Sequence, residues 1–309
     1  MCLSKWGYKA VLAVSFLGLF IGTGTFATEL TMDEKVYEVN QIGVELEALE
    51  ANEGLPLEYP TTKEEFAQVF LYMGMNNIKD YKVRLINARF DVATSNDYKA
   101  MIADGYRIAS GKYPEYMAFV RGYTYSISSA GLGSDLNLKA KYDIYTPDQV
   151  KQMTDLFNIR AEGHLIRLKE EGKITEEMTE REKAKAIYEW IIWNTAYDQD
   201  KADLSHTGYG LMDSNFAVCE GYTAAFNLMC RMEGINIQGV VGEPKGNSEL
   251  RTHIWSVAEL DGHRLHTDAT WGDPIGKSLP VDHINYDYFA IGGQQMAEDH
   301  SWDQNHYGQ

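Results

Sequence analysis

The feature that most constrains the fold is an Asp-Gly pair at positions 261–262, between two strand-like runs, 252–259 (THIWSVAE) and 263–270 (HRLHTDAT). An Asp-Gly pair suits the two-residue turn of a β-hairpin, in which both central residues adopt positive φ. Such a turn sets the pairing of the flanking strands, so Leu260 is expected to pair with His263. The sequence therefore predicts an antiparallel hairpin of known register.

That register brings a histidine and an aspartate together. His253 should face Thr270, and Trp255 should face Asp268, so His253 and Asp268 become diagonal neighbours on one face of the hairpin. A carboxylate bound to one ring nitrogen of a histidine fixes the tautomer and leaves the other nitrogen free to accept a proton. A slip of one residue would place the two side chains on opposite faces and break this geometry.

A cysteine precedes this hairpin at the expected start of a helix. Residues 217–234 (AVCEGYTAAFNLMCRMEG) predict a helix that ends at Gly234, and Cys219 lies in its first turn. Backbone N–H groups and the helix dipole favour a thiolate there, so we expect the pKa of Cys219 to lie below that of an ordinary thiol. The alternative is that Cys219 is a small buried hydrophobic residue. Cys230 lies on the apolar stripe of the same helix and is predicted to be core.

Cys219, His253 and Asp268, in this order, have a physical basis for acting as nucleophile, base and orienting group. Their surroundings resemble the transglutaminase-like superfamily of secreted bacterial proteins. The segments that carry the resemblance are 217–222 (AVCEGY), 253–255 (HIW) and 267–274 (TDATWGDP), with 197–198 (YD) and 205–210 (SHTGYG) before them. The resemblance covers roughly 180–290, and it departs from the usual pattern at Gly272 and Ile254.

The resemblance implies a fold and a type of chemistry. The implied fold is α+β, a papain-like core in which the cysteine helix packs on an antiparallel sheet. The implied chemistry is acyl transfer through a thioester on the cysteine. Transglutamination is not implied, because many members of the superfamily look like proteases or peptide amidases.

The first 27 residues have the layout of a secretory signal peptide. Lys5 and Lys9 precede an apolar run at 10–21, and small residues at 22–27 lead to a cleavage site after Ala27. The alternative is an uncleaved signal anchor, although the apolar run is short for a bilayer span. We expect a secreted or cell-surface protein without stable membrane insertion once the signal is removed.

Cysteine usage agrees with a protein that does not depend on disulfides. Cys2 would leave with the signal peptide, so Cys219 and Cys230 remain. On one helix these two residues lie roughly 16 Å apart, too far for a disulfide bond.

The segment between the signal peptide and the cysteine helix predicts mixed elements. Capping boxes at Thr62, Thr146 and Thr179 predict the starts of three helices, the second of which spans 147–171. Further helices are expected at 31–50 and 96–110, and strands at 81–91, 118–128 and 134–143. The long helix at 147–171 is the predicted boundary. It divides the chain into an N-terminal α+β domain of unknown role, 28–165, and a catalytic domain, 166–309.

Composition excludes several classes of function. With 309 residues, 44% hydrophobic and 24% charged, the chain has the profile of a globular protein. A net charge of −17 argues against nucleic-acid partners. His266 shares a face with Asp268, and Asp198, Asp200 and Asp203 suggest a calcium loop, but neither set completes a metal motif, so no metal and no cofactor is predicted.

Three aromatic residues are further candidates for the site. Tyr209 is a candidate oxyanion donor beside the Cys219 N–H. Trp255 and Trp271 flank the other proposed site residues and are candidates for the walls of a substrate groove; the alternative role for both is packing of the sheet.

These observations predict an exported cysteine acyl-transfer enzyme that acts on amide bonds of proteins or cell-wall peptides, as a peptidase or amidase. Cys219 is the predicted nucleophile, His253 the base and Asp268 the group that holds His253. One alternative is a transglutaminase that cross-links proteins. Another is a cell-surface binding module that keeps the fold without turnover.

Overall fold

The structure, a computed structural model, describes residues 59–86, 92–130, 133–142, 145–245, 252–273 and 283–307. All of them belong to one compact unit, Gln41–Gln309. The signal peptide predicted for 1–27 and the helix predicted for 31–50 lie outside the described residues. No helix within the described ranges has the length and apolar character needed to cross a membrane.

The first part of the chain forms a three-stranded antiparallel sheet with helices packed on it. Its elements are α1 (Lys63–Met75), β1 (Asp80–Ile86), α2 (Val92–Lys112), α3 (Pro114–Met117), β2 (Gly122–Ala130) and β3 (Gly133–Lys141), with strand order β1-β3-β2. The predicted capping box of α1 is confirmed: the Thr62 hydroxyl accepts from the Glu65 N–H, and the Glu65 carboxylate accepts from the Thr62 N–H. The apolar side of α1 is buried in the first core.

Several predicted boundaries in this part are wrong. The strand expected from residue 118 begins at Gly122, because Pro114 starts the short helix α3 and the Val120 N–H closes a turn onto the Met117 carbonyl. The helix expected at 96–110 is longer at both ends and spans Val92–Lys112. The strand expected at 81–91 is described only as far as Ile86, and the rest of that prediction lies outside the described residues.

The second part contains the cysteine helix and a four-stranded sheet. Its elements are α4 (Pro147–Glu170), α5 (Glu180–Asn194), β4 (Ala196–Tyr197), α6 (Gly208–Ser214), β5 (Phe216–Ala217), α7 (Cys219–Met232), β6 (Ile237–Pro244), β7 (His253–Leu260), β8 (His263–Thr267), α8 (Ala269–Gly272), α9 (Gly293–Met296), β9 (His300–Trp302) and α10 (Gln304–Tyr307). The sheet order is β8-β7-β6-β9, and all its pairs are antiparallel. The predicted capping boxes of α4 and α5 are confirmed.

Helix α7 packs on this sheet, as the predicted fold class requires. The Thr223 hydroxyl donates to the Ile254 carbonyl at 3.1 Å, and the Ser256 hydroxyl donates to the Asn227 side-chain oxygen at 2.7 Å. Both bonds join α7 to β7, and all four residues are buried. The fold is therefore α+β, with the cysteine helix against an antiparallel sheet and a smaller α+β part before it.

Helix α4 contacts both hydrophobic cores. Val150, near its start, belongs to the core of the first part, and Phe157 and the later apolar residues of α4 belong to the core around α7. The domain boundary proposed at residue 165 falls inside this helix and stays a prediction.

Candidate active site

The hairpin has the predicted register. Leu260 pairs with His263 and Ser256 pairs with Thr267. Asp261 and Gly262 adopt φ values of 53° and 77°, as a two-residue turn of this kind requires. The Asp261-Gly262 turn therefore sets how the strand that carries His253 pairs with the strand that leads to Asp268.

The outer end of the hairpin differs from the prediction. Strand β8 ends at Thr267, so the expected pairs of His253 with Thr270 and of Trp255 with Asp268 do not form. The reason is that Asp268 caps the short helix α8: its Oδ1 accepts from the backbone N–H groups of Thr270 and Trp271 at 2.9 and 3.1 Å.

His253 and Asp268 nevertheless meet on the same side of the hairpin. Nε2 of His253 lies 2.6 Å from Oδ2 of Asp268, and both side chains are buried. Burial by itself raises the pKa of Asp268, but the charge on His253 and the hydrogen bonds from His253 and His300 outweigh it, so that the pKa lies well below its usual range. Asp268 is therefore a carboxylate, and Nδ1 of His253 is the ring nitrogen that faces away from it.

Cys219 is the first residue of α7 and lines the same cavity as His253. The helix begins two residues later than predicted because Phe216 and Ala217 pair in parallel with Ala196 and Tyr197. A backbone hydrogen bond from Ile254, the residue after His253, reaches the Cys219 sulfur. Cys219 thus shares a cavity with His253, and His253 is bound to Asp268.

The expectation of a lowered thiol pKa at Cys219 is wrong. Burial raises the pKa of the Cys219 thiol, and the neighbouring carboxylate of Glu220, whose Oε2 lies 3.5 Å from the sulfur, raises it further. The position at the helix start does not compensate. Glu220 is in turn held by Nδ1 of His206 at 2.9 Å; burial raises the pKa of Glu220, but His206 outweighs this and lowers it below its usual value.

A cavity of about 550 Å³ opens at Cys219. Cys219, Glu220, His206 and His253 line it from the second part of the chain. The lining from the first part of the chain comes from α2, α3 and the segment that follows α3, and it includes Tyr106, Arg107, Pro114, Met117, Val120 and Arg121. The first part of the chain therefore forms one wall of the candidate active site.

The aromatic candidates lie in different places. Tyr209 does not line this cavity; α6 directs it toward Arg160, whose guanidinium carbon is 5.6 Å from the ring centre. Trp255 is fully buried behind His253 and donates its indole N–H to His266 at 3.0 Å, which matches the sheet-packing alternative. The Trp271 ring stacks on His253 at 5.7 Å between centres.

Neither set of candidate metal ligands from the sequence resembles a metal site. The Nδ1 atom of His266 accepts the Trp255 N–H, and burial lowers the pKa of His266 to about 4. The Asp198 carboxylate accepts the Ser205 hydroxyl and the N–H groups of Asp200 and Ala202. Among the described residues, His253, Asp268 and His300 offer three possible ligand atoms within 4.8 Å of one another, and hydrogen bonds among these side chains account for that closeness.

Sequence reasoning missed His300. It is fully buried in β9, and its Nε2 lies 3.3 Å from Oδ2 of Asp268. It reaches Asp268 because β9 pairs with β6 at the edge of the sheet. The adjacent Asp299-His300 pair was the available signal, but nothing local indicates that this short strand joins the sheet next to the site.

By its fold and site, the protein is an α+β protein with a cysteine at a helix start and, on the facing sheet, a buried histidine paired with an aspartate that caps the next short helix. Residues 170–271 match the sequence model described as the transglutaminase-like superfamily. Over these residues the chain is therefore similar to a transglutaminase-like core domain.

Known proteins show more distant likenesses. The chain is 27% identical over 143 residues to the human protein named kyphoscoliosis peptidase and 26% identical to its mouse counterpart. Each match covers 41% of this chain and 22% of the relative, so the chain spans about a fifth of the length of these relatives.

Among solved structures, the chain resembles a candidate cysteine protease from Cytophaga hutchinsonii, with a TM-score of 0.30 and 17% identity, over 48% of this chain and 62% of that one. It also resembles a structure named a TGase, with a TM-score of 0.33 and 15% identity, over 65% of this chain and 53% of that one.

Proposed function

We propose that this protein is an exported cysteine enzyme that cleaves amide bonds of proteins or cell-wall peptides through a thioester on Cys219. The observation that carries the proposal is the contact between Nε2 of His253 and Oδ2 of Asp268 at 2.6 Å. The backbone of Ile254, the residue after His253, hydrogen-bonds the Cys219 sulfur. The proposed nucleophile and base then line one cavity, and the proposed orienting group, Asp268, is buried against the base.

The geometry supports a defined order of proton transfers. Because burial and Glu220 raise the pKa of Cys219, the resting thiol is neutral, and His253 removes its proton as the sulfur attacks the amide carbonyl. Nδ1 of His253 receives this proton, since Nε2 is bound to Asp268. The imidazolium then donates the proton to the leaving amine, the carbon–nitrogen bond breaks, and a thioester remains.

Water or a second amine then resolves the thioester. Attack by water releases an acid and makes the protein a peptidase or amidase, whereas attack by an amine makes it a transglutaminase. The first outcome is the proposal, and it is supported by the peptidase name of the two relatives that match 143 residues. A cross-linking transglutaminase is the alternative within the same chemistry.

Covalent labelling of the full chain tests the nucleophile. Cys219→Ala should abolish a thioester with any peptide substrate, because it removes the only proposed nucleophile, and Cys230→Ala is the matched control because Cys230 is a free, fully buried thiol. Iodoacetamide should modify Cys219 in the native protein and Cys230 only after unfolding. Equal alkylation rates at both thiols would contradict the assignment.

The other two proposed catalytic residues should give graded losses of turnover. His253→Ala should be nearly as severe as loss of the thiol, because the reaction loses its base and its acid. Asp268→Asn should also cost much activity, since an amide can hold the wrong tautomer of His253. Mass spectrometry of acyl-enzyme trapped from a peptide library measures each effect. Unchanged physiological activity in all three variants would favour the binding-module alternative.

Export is a separate part of the proposal. The basic, apolar and small-residue layout of residues 1–27 supports cleavage after Ala27. N-terminal sequencing of protein recovered outside the cell tests it, with Thr28 as the expected first residue. Recovery of exported protein that still begins at Met1 would contradict cleavage.

A further inference from the structure

Asp268 is shared by two histidines. Its Oδ1 atom accepts two backbone N–H groups, and its Oδ2 atom lies 2.6 Å from Nε2 of His253 and 3.3 Å from Nε2 of His300. A carboxylate with both oxygens engaged in this way cannot rotate without losing several hydrogen bonds. The proposed mechanism uses His253 and Asp268 and gives His300 no role.

The contacts of His300 define its charge. Its Nδ1 atom lies 2.6 Å from Oδ1 of Asp299, so each ring nitrogen faces a carboxylate oxygen. Ionised carboxylates only accept hydrogen bonds, so both nitrogens of His300 must carry a proton. Burial alone lowers the pKa of His300, but the hydrogen bonds and charges of Asp268 and Asp299 outweigh it and raise the pKa above its ordinary value.

Aromatic rings pack directly against His300. The ring of Trp271 lies 4.3 Å away and that of Trp255 lies 4.8 Å away, between centres. The titratable groups around it are His253, His266, Asp268, Asp299 and Tyr288, and the Tyr288 hydroxyl donates to Asp299. Lys245, at the end of the strand paired with β9, directs its ammonium to the Ala297 carbonyl.

We propose that His300 is a positioning residue of this site: held between Asp268 and Asp299 and protonated on both ring nitrogens, it fixes the Asp268 carboxylate and offsets part of the negative charge that this carboxylate presents to His253. The inference rests on the proposed function, because it concerns the group that orients the proposed base. The physical reason is that a cation bound to Asp268 offsets the carboxylate charge that would otherwise favour a proton on His253.

The test measures histidine ionisation directly and needs no substrate. NMR of the full chain, labelled at its histidine rings and carrying Cys219→Ala to remove the thiol titration, gives the charge of His300 and the midpoint of the His253 titration. His300 should remain doubly protonated at pH 7. His300→Gln should move the His253 midpoint upward by about one pH unit, because it removes the cation and keeps a hydrogen-bond donor.

Two further variants separate charge from structure. Asp299→Asn should move the His253 midpoint in the same direction by a smaller amount, because His300 then binds its proton less tightly. His266→Gln is the matched control: His266 is equally buried in the same sheet but accepts the Trp255 N–H, so this variant should leave the His253 midpoint in place.

Each outcome bears on the proposal. A singly protonated His300 at pH 7, or an unchanged His253 midpoint in His300→Gln, would overturn it. Failure of the proposed function would be seen elsewhere, as alkylation of Cys219 that does not depend on His253. In the wild-type background, His300→Gln should also lower kcat/KM about tenfold at pH 7, the size usual for residues coupled in one network.

Discussion

At the scale of single residues, the environment of Cys219 outweighs its position in the helix. A helix start favours an anion by roughly 0.3–1 kcal/mol, whereas burial and a neighbouring carboxylate can shift a pKa by several units. Both unfavourable effects are present at Cys219, which is why its pKa is raised. Glu220 is therefore one determinant of the pKa of this thiol.

This predicts a gain of reactivity from a single substitution. Glu220→Gln removes the carboxylate 3.5 Å from the sulfur and should lower the pKa of the Cys219 thiol. The rate of alkylation by iodoacetamide at pH 7 should rise about tenfold. Glu259→Gln, which changes a carboxylate paired with Arg264 instead, is the matched control and should leave the rate unchanged. A slower reaction in Glu220→Gln would show that Glu220 is not the restraint.

At the scale of elements, a buried ion pair joins the first part of the chain to the cysteine helix. Nε of Arg231 in α7 lies 2.7 Å from Oε1 of Glu115 in α3, and both side chains are buried. The Arg231 guanidinium also lies over the Tyr113 ring, at 5.1 Å. Since α3 also lines the cavity, this pair holds one cavity wall against the helix that begins with Cys219.

Breaking that pair from one side should destabilise the protein strongly. Arg231→Met leaves Glu115 buried without its cation, and the free energy of unfolding should fall by about 3–5 kcal/mol. The double variant Glu115→Leu/Arg231→Met should recover much of this loss, because no charge then remains buried. Denaturant unfolding measures both effects.

An exposed ion pair provides the comparison. Arg160 and Asp213 also form an ion pair, but both side chains are at least a third exposed. Arg160→Met should therefore cost less than about 1 kcal/mol. Similar losses in Arg160→Met and Arg231→Met would contradict a special role for the buried pair.

At the scale of the whole molecule, two aspartates next to α8 contribute to the free energy of unfolding, and their contributions depend on pH in opposite directions. The pKa of Asp268 lies below its ordinary value, so its contribution is present above pH 4 and is lost as the pH falls. Burial raises the pKa of Asp273 to about 6, although the Tyr222 hydroxyl donates to it. The protonated form of Asp273 therefore stabilises the fold at low pH, and this contribution is lost as the pH rises through 6.

The variant Asp273→Asn isolates the second contribution. Between pH 4 and pH 7 the wild type should lose about 1–2 kcal/mol relative to this variant, because folding then requires burial of an ionised carboxylate. Urea midpoints of both proteins at pH 4.5, 5.5, 6.5 and 7.5 give the difference. A difference that does not change with pH would contradict the shifted pKa.

Local sequence signals were sufficient to predict most helices and strands and the register of the hairpin. The capping boxes at Thr62, Thr146 and Thr179 predicted helix starts correctly, because a cap involves residues only three apart. The Asp-Gly turn determined the strand register for a similar reason. The predicted boundaries of an element were wrong where an adjacent element took up its end residues. Strand β8, for example, ends early because Asp268 caps α8.

The sequence by itself determined which residues form the hairpin and that His253 and Asp268 share its face. Only the tertiary structure decided the charge state of the site. Burial of Cys219, the approach of His300 to Asp268 from 32 residues away and the cavity wall from α2 and α3 all depend on segments distant in the chain. Electrostatic effects follow distance in space and exclusion of water, and neither is encoded in local spacing.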